Sequence, residues 1–133
     1  MILIDSSVLI DITESQTQWA HWSEQQVLLA KSKGDVAINL MVYAEISRDF
    51  VDKAQLDLFL NEVGVKVEPL DGRMAYAAAR AHEDYRAAGG QRIATLPDFF
   101  IGAHANAMRW PLLTRDPNRI RTYFPEVTLI CPE

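Results

Sequence analysis

The chain opens with MILIDSSVLIDI, residues 1–12, in which a short apolar run is followed by apolar residues at helical spacing. We interpret Met1–Ile4 as a buried strand and Val8–Ile12 as part of a helix. Asp5 lies between them, at the carboxyl end of the strand. A strand that leads directly into a helix is typical of a βαβ unit, and therefore of a parallel sheet.

The rest of the chain repeats this alternation of short apolar runs and longer helical patterns. It predicts an α/β fold with a central parallel sheet, built as a single domain over residues 1–133. Further strands are expected at Val36–Ile38, Val65–Glu68, Pro111–Leu113 and Val127–Ile130. Further helices are expected at Gln18–Lys33, Leu40–Phe50, Ala54–Val63, Arg73–Ala88, Pro97–Arg109 and Pro117–Tyr123.

Four acidic residues are expected at the carboxyl edge of this sheet, where ligands of such folds bind. Asp5 and Asp116 each follow a strand, and Asp98 begins a helix that starts at the same edge. An aspartate at a helix start can instead be an N-cap, so this alternative stays open for all three. Their shared position is therefore stronger evidence of a site than any one of them alone.

Glu45 is the fourth acid, and it lies in the apolar segment LMVYAEI, residues 40–46. A helix that is apolar on all sides is buried, and a buried carboxylate is costly unless it pairs with an arginine or binds a metal ion. Asp49, one helical turn further on, is a weaker candidate.

Four carboxylates at one edge would repel one another and raise each other's pKa. A hard divalent cation such as Mg²⁺ relieves this repulsion, because it takes oxygen ligands and keeps several waters. Such an ion can activate water and stabilise charge on a phosphodiester. The pattern thus predicts a Mg²⁺ or Mn²⁺ site for phosphodiester hydrolysis.

The net charge of −5 is unevenly distributed along the chain. Residues 1–71 carry 5 basic and 12 acidic residues, whereas residues 72–133 carry 8 arginines and 6 acids. Arginine suits phosphate recognition, although scattered solubilising charge is an equally good explanation. Arg92, in a loop that contains two glycines, and Arg115, beside Asp116, are candidates for contact with a substrate phosphate.

Cys131 is the single cysteine, so no disulfide forms within the chain. The first residues lack the basic start of a signal peptide, and acids interrupt their apolar run. These features predict a cytoplasmic protein without a membrane span.

The motifs together resemble the PIN domain, and more narrowly the VapC toxins of bacterial toxin–antitoxin pairs. They are IDSSVLID (4–11), YAE (43–45), LPDFFIGAHA (96–105) and LTRD (113–116). The resemblance implies an α/β/α sandwich and metal-dependent ribonuclease activity. It places Asp5, Glu45, Asp98 and Asp116 on the family's acidic quartet, and Ser7 and Thr114 on its hydroxyl positions. It also implies a homodimer, a VapB-type antitoxin, and a transfer or ribosomal RNA substrate.

Two departures from that pattern limit the comparison. Many relatives have asparagine at the position of Ser7, and some have a further acid after Asp116, where Asn118 stands nearby. A PIN-fold binding or regulatory module that has lost catalysis is an alternative, although the four intact acids argue against it. A receiver-like signalling domain is disfavoured, because it needs a late lysine and none follows Lys66.

Overall fold

The computed structural model describes residues 1–15, 18–90 and 96–133, and within them five strands form one sheet. The strands are β1 (Ile2–Ile4), β2 (Val36–Asn39), β3 (Val65–Glu68), β4 (Leu112–Leu113) and β5 (Leu129–Ile130). All neighbours pair in parallel, in the order β3-β2-β1-β4-β5. The predicted parallel sheet is confirmed, and β1 is its central strand.

Helices flank this sheet, which gives the predicted α/β/α arrangement. They are α1 (Ser6–Glu14), α2 (Ala20–Lys33), α3 (Leu40–Ile46), α4 (Lys53–Val63), α5 (Gly72–Ala87), α6 (Leu96–Met108) and α7 (Asn118–Tyr123). In the described part of the chain, none of these helices is long and apolar enough to cross a membrane.

The core lies between the sheet and the helices that cover it. Every residue of β1, β2 and β4 is buried, as expected for parallel strands that are covered on both faces. Helix α1 packs against α2 and α3, whereas α5 and α7 pack against α6. Most of α6 is buried, so its packing holds the helix in place. The first turn of this helix, which carries Asp98, is therefore fixed in position.

The chain changes direction across the sheet between β1 and β4. From β1 it proceeds outward to β2 and β3, and it then returns to place β4 and β5 on the other side of β1. Ligands of open α/β sheets bind in the crevice outside the carboxyl ends of the strands at such a switch point. The fold therefore predicts a ligand site at the loops after β1 and β4.

The predicted helix Leu40–Phe50 is wrong in its second half. Helix α3 ends at Ile46, and a short 3₁₀ helix follows over Ser47–Asp49. The Ser47 hydroxyl donates to the Ala44 carbonyl oxygen at 2.6 Å, a local bond that competes with continued α-helix. The change of helix type places Asp49 outside the regular turn that Glu45 occupies.

Candidate active site

An open cleft of about 890 Å³ lies outside the carboxyl ends of β1 and β4. Three of the four predicted acids, Asp5, Asp98 and Asp116, line this cleft. Glu45 does not line it, but the charges of Asp5 and Asp98 act on its carboxyl. The structure thus brings the quartet to one region.

Asp5 is held by hydroxyl groups rather than acting as a helix cap. Its side chain is 8% exposed and makes no capping hydrogen bond to α1. Its Oδ2 atom accepts hydrogen bonds from Ser7 Oγ at 2.8 Å and Thr114 Oγ1 at 2.7 Å. Burial raises the pKa of Asp5, and these two hydroxyls partly oppose the rise. The structure therefore excludes the N-cap interpretation of this side chain.

The same two hydroxyls tie the loop after β4 to Asp5. Thr114 Oγ1 accepts from the backbone amide of Asp116 at 3.0 Å, and Ser7 Oγ accepts from the amide of Arg115 at 3.2 Å. Helix α7 begins only at Asn118, with Pro117 at the N-cap position, so Asp116 does not cap it. The two bridges set where Asp116 enters the cleft.

Arg115 lines the cleft but directs its guanidinium group to a buried acid. Its Nε donates to Asp11 Oδ2 at 2.9 Å, and Ser23 Oγ donates to the same oxygen at 2.7 Å. Asp11 is fully buried, whereas the Arg115 side chain is 26% exposed. Arg115 thus has a structural anchor, and its contact with RNA stays a prediction. Arg92 lies outside the described residues.

Glu45 is the least satisfied acid of the quartet. Its Oε1 atom is buried without a hydrogen-bond partner. In the described part of the chain it forms no ion pair with an arginine, so that alternative is not observed. Burial raises the pKa of Glu45 to about 7, and the charges of Asp5 and Asp98 add to the rise, whereas Ser6 and Arg48 lower it.

Asp98 lies in the first turn of α6 and pairs with Arg119 of α7. Arg119 Nη1 donates to Asp98 Oδ2, and the guanidinium carbon lies 5.4 Å from the ring centre of Tyr85. Burial and the charge of Asp5 raise the pKa of Asp98, whereas Arg119 lowers it. This carboxylate already has a cation within the chain.

A sequence model of the PIN domain matches residues 2–125. The chain belongs to the PIN domain family. Members of this family are generally nucleases, and they typically use divalent metal ions. No protein of curated function matches this PIN domain in sequence.

Solved structures share the fold at low sequence identity. VapBC2 from Rickettsia felis, bound to a promoter DNA fragment, has a TM-score of 0.74 and 16% identity over 100% of both chains. A toxin–antitoxin complex from Klebsiella pneumoniae has a TM-score of 0.65 and 20% identity over 96% of both chains. FitAcB from Neisseria gonorrhoeae has a TM-score of 0.63 and 18% identity over 98% of this chain and 96% of that one. The expected family and fold are thus confirmed.

The donor set of this PIN domain fits a hard divalent cation in its chemistry. All four candidate ligands are carboxylates, and Glu45 Oε1 is a buried acceptor without a partner. Within the described ranges, however, no three such groups already lie close enough to hold an ion. Asp98 has Arg119 as its cation within the chain.

Asp49, the weaker candidate, does not belong to this PIN-domain cleft. Its Oδ2 accepts from Thr13 Oγ1 at 2.9 Å on the exposed surface. Two residues that sequence reasoning passed over do contribute, namely Asp11, which anchors Arg115, and Arg119, which pairs with Asp98. Asp11 gives a sequence signal, since it is a lone acid in an apolar helix like Glu45. Arg119 gives none, because nothing distinguishes it from seven other arginines of the same half.

Proposed function

We propose that this PIN domain is a toxin-type endoribonuclease that hydrolyses RNA phosphodiester bonds with a water activated by Mg²⁺ or Mn²⁺. The observation that carries the proposal is the cleft at the β1–β4 switch point, with Asp5, Asp98 and Asp116 in its wall and the buried, unpartnered Oε1 of Glu45 beside them. The family's general nuclease character supports it.

Asp5, Glu45, Asp98 and Asp116 would hold the ion. When bound, it supplies a more acidic water and stabilises negative charge on the phosphodiester. Ser7 and Thr114 would keep Asp5 in one orientation, because both donate to Oδ2, whereas Oδ1 has a longer contact of 3.5 Å from Ser6 Oγ. These hydroxyls therefore act as positioning groups rather than reacting ones.

Glu45 Oε1 would complete the ligand set, because it is a buried carboxylate oxygen without a hydrogen-bond partner and a hard cation takes oxygen ligands. Hydrolysis by water leaves a 5′-phosphate and a 3′-hydroxyl. Recovery of 2′,3′-cyclic phosphate ends would instead show attack by the ribose hydroxyl and contradict this mechanism.

The proposed partners follow from the structural neighbours, several of which are VapBC or other toxin–antitoxin complexes. A VapB-type antitoxin would inhibit the enzyme, and the enzyme would be a homodimer when no antitoxin is bound. Its substrate would be transfer or ribosomal RNA in the cytoplasm. Exposed apolar side chains such as Tyr76 and Leu28 offer surface that a protein partner would cover.

The decisive experiment incubates total cellular RNA with the purified, antitoxin-free protein. We expect discrete fragments with Mg²⁺ and none with EDTA. Asp98→Asn should abolish cleavage, whereas Asp57→Asn should not, because Asp57 is an exposed aspartate that pairs with Lys53 outside the cleft. Cleavage that persists in Asp98→Asn or in EDTA would contradict the proposal.

The alternative function is a PIN-fold binding module without catalysis. The ion pair between Arg119 and Asp98 favours it, since that pair neutralises one ligand of the quartet within the chain. Calorimetric titration with Mn²⁺ separates the two functions. Saturable binding that Asp5→Asn removes supports the nuclease, whereas absence of binding by the folded protein supports the module.

A further inference from the structure

Arg119 is bound to the cleft at two points. Its guanidinium donates to Asp98 Oδ2 and also lies over the ring of Tyr85, with 5.4 Å between guanidinium carbon and ring centre. All three residues line the cleft. The side chains of Arg119 and Asp98 are 28% and 38% exposed, so solvent reaches the pair. An ion pair at this depth can open without unfolding of the domain.

The other two arginines of the cleft differ from Arg119 in their partners. Arg115 is anchored on Asp11, a buried acid outside the quartet. Arg48 lines the cleft but forms no ion pair among the residues that the structure describes. In the described chain, the pairing of a cleft arginine with a proposed metal ligand is thus specific to Arg119.

The Tyr85 ring is a fixed platform for the guanidinium group. It packs against Phe99, with ring centres 5.6 Å apart, and against Tyr123 at 6.1 Å. Phe99 is 1% exposed and belongs to the core. An arginine that leaves Asp98 can therefore stay over Tyr85, where cation–π attraction holds it at the mouth of the cleft.

We propose that Arg119 exchanges partners during the catalytic cycle, releasing Asp98 to the divalent ion and donating instead to a phosphate oxygen of the bound RNA. The inference rests on the proposed function. Arg119 donates to Asp98 through Nη1, whereas a phosphate group can take two N–H groups of the planar guanidinium at once. Arg119 thus positions the RNA substrate, and it competes with the metal ion for Asp98.

The exchange predicts opposite effects of one substitution on two ligands. In the antitoxin-free protein, Arg119→Gln should bind Mn²⁺ about threefold to tenfold more tightly by calorimetry, because Asp98 no longer has to break an ion pair. The same variant should bind a short fluorescent single-stranded RNA several-fold more weakly in Ca²⁺, which takes oxygen ligands and is used here to slow hydrolysis. A merely structural role would move both affinities in the same direction.

Two further variants control for charge and folding. Arg48→Gln removes an equal charge from the same cleft without touching the ion pair, so it should raise Mn²⁺ affinity less than Arg119→Gln. Arg119→Lys keeps the charge but loses the fork, and it should retain wild-type Mn²⁺ affinity while binding RNA more weakly. Thermal unfolding of each variant without metal checks that it is folded.

Equal Mn²⁺ affinity in wild type and Arg119→Gln would overturn the exchange, whatever the RNA result. An equal gain in Arg48→Gln would also overturn it, since the effect would then be general electrostatics. Tighter Mn²⁺ binding by Arg119→Gln, in a protein whose wild type neither binds this RNA nor cleaves total cellular RNA, would overturn the phosphate half together with the ribonuclease function. That result would support the half that concerns Asp98.

Discussion

The two sides of the cleft differ in how their acidic groups are satisfied. On the side of α1 and the loop after β4, Asp5 accepts two hydroxyl hydrogen bonds, and Asp11 pairs with Arg115 and Ser23. On the side of α3 and α6, Glu45 keeps a buried oxygen without a partner, and the partner of Asp98 is a partly exposed arginine. The acids of the first side have partners buried within the chain, whereas the second side has an unpartnered oxygen and an ion pair that solvent reaches.

The first side therefore contributes more to the stability of the fold, although it also carries Asp5 and Asp116, two of the four proposed metal ligands. Groups that are fully satisfied contribute to folding and hold the geometry. Burial raises the pKa of Glu45 to about 7 while one of its oxygens has no partner, so a ligand could offset the cost of burying this carboxyl. Substitutions on the two sides should therefore have effects of opposite sign on the metal-free protein.

The largest effect is expected on the satisfied side, from Arg115→Ala. This change leaves the fully buried carboxylate of Asp11 without its cation, and we expect a loss of about 3 kcal/mol in the free energy of unfolding, measured in urea. Arg121→Ala, on the exposed surface, is the matched control and should cost less than about 0.5 kcal/mol. If both variants unfold at the same urea concentration, the Asp11 pair does not stabilise the fold.

Thr114→Val should affect both stability and metal binding. The change removes the donor to Asp5 Oδ2 and the acceptor of the Asp116 amide, so we expect a destabilisation of about 2 kcal/mol. Because Asp5 then loses its fixed orientation, Mn²⁺ affinity should fall by about tenfold to a hundredfold in calorimetry. Thr114→Ser keeps the hydroxyl and should behave as wild type. If Thr114→Ser lost as much stability and Mn²⁺ affinity as Thr114→Val, the effect would come from the methyl group instead.

Glu45→Gln should stabilise the metal-free protein, in contrast to changes on the other side. The folded pKa of about 7 exceeds the ordinary 4.5, so the folded protein binds more protons than the unfolded one between these values, and the contribution of Glu45 falls as pH rises through this window. At pH 8 the glutamine variant should be more stable by about 1 kcal/mol, after allowance for solvent screening. Near pH 4 the two proteins should be equal.

The comparison between variants is needed because His104 acts in the opposite direction. Burial lowers the pKa of His104 below 6.5, so its contribution to stability rises with pH. The difference between Glu45→Gln and wild type cancels this effect. A difference that stays constant between pH 4 and pH 8 would show that Glu45 does not titrate as proposed. Saturating Mn²⁺ should reverse the ranking of the two proteins.

The smallest effect is expected from Asp49→Asn. Asp49 contacts Thr13 on the exposed surface and does not line the cleft, so Mn²⁺ affinity and cleavage should stay unchanged and stability should move by less than about 0.5 kcal/mol. A clear loss of metal binding in this variant would show that Asp49 contributes to the metal site.

The sequence predicted the fold well because the pattern of apolar runs is set by burial on both faces of a parallel sheet. Asp5, Thr114 and Asp116 each follow the end of a strand. Their positions at the carboxyl edge of the sheet could therefore be inferred from the sequence. The break after Ile46 could not, since a serine hydroxyl that bonds to the backbone leaves no trace in hydrophobic periodicity.

The pairing of charges was the part that sequence could not resolve. Which arginine meets Asp98 depends on how α7 lies against α6, a tertiary relation that local spacing does not encode. For the same reason, Arg115 was expected to face substrate, although its guanidinium meets Asp11. The burial of Asp11 on one face of α1 could have been inferred from the sequence, because this acid interrupts an apolar run.

The bond between Thr114 and Asp5 joins residues that are 109 positions apart in the chain. During synthesis, Asp5 emerges early, but its supporting hydroxyl and the aspartate beyond it arrive only after most of the domain has been made. Contacts of such long sequence separation form late, because the intervening chain must first be closed into a loop. A nascent or truncated chain would therefore carry an incomplete cleft until the last strands have docked.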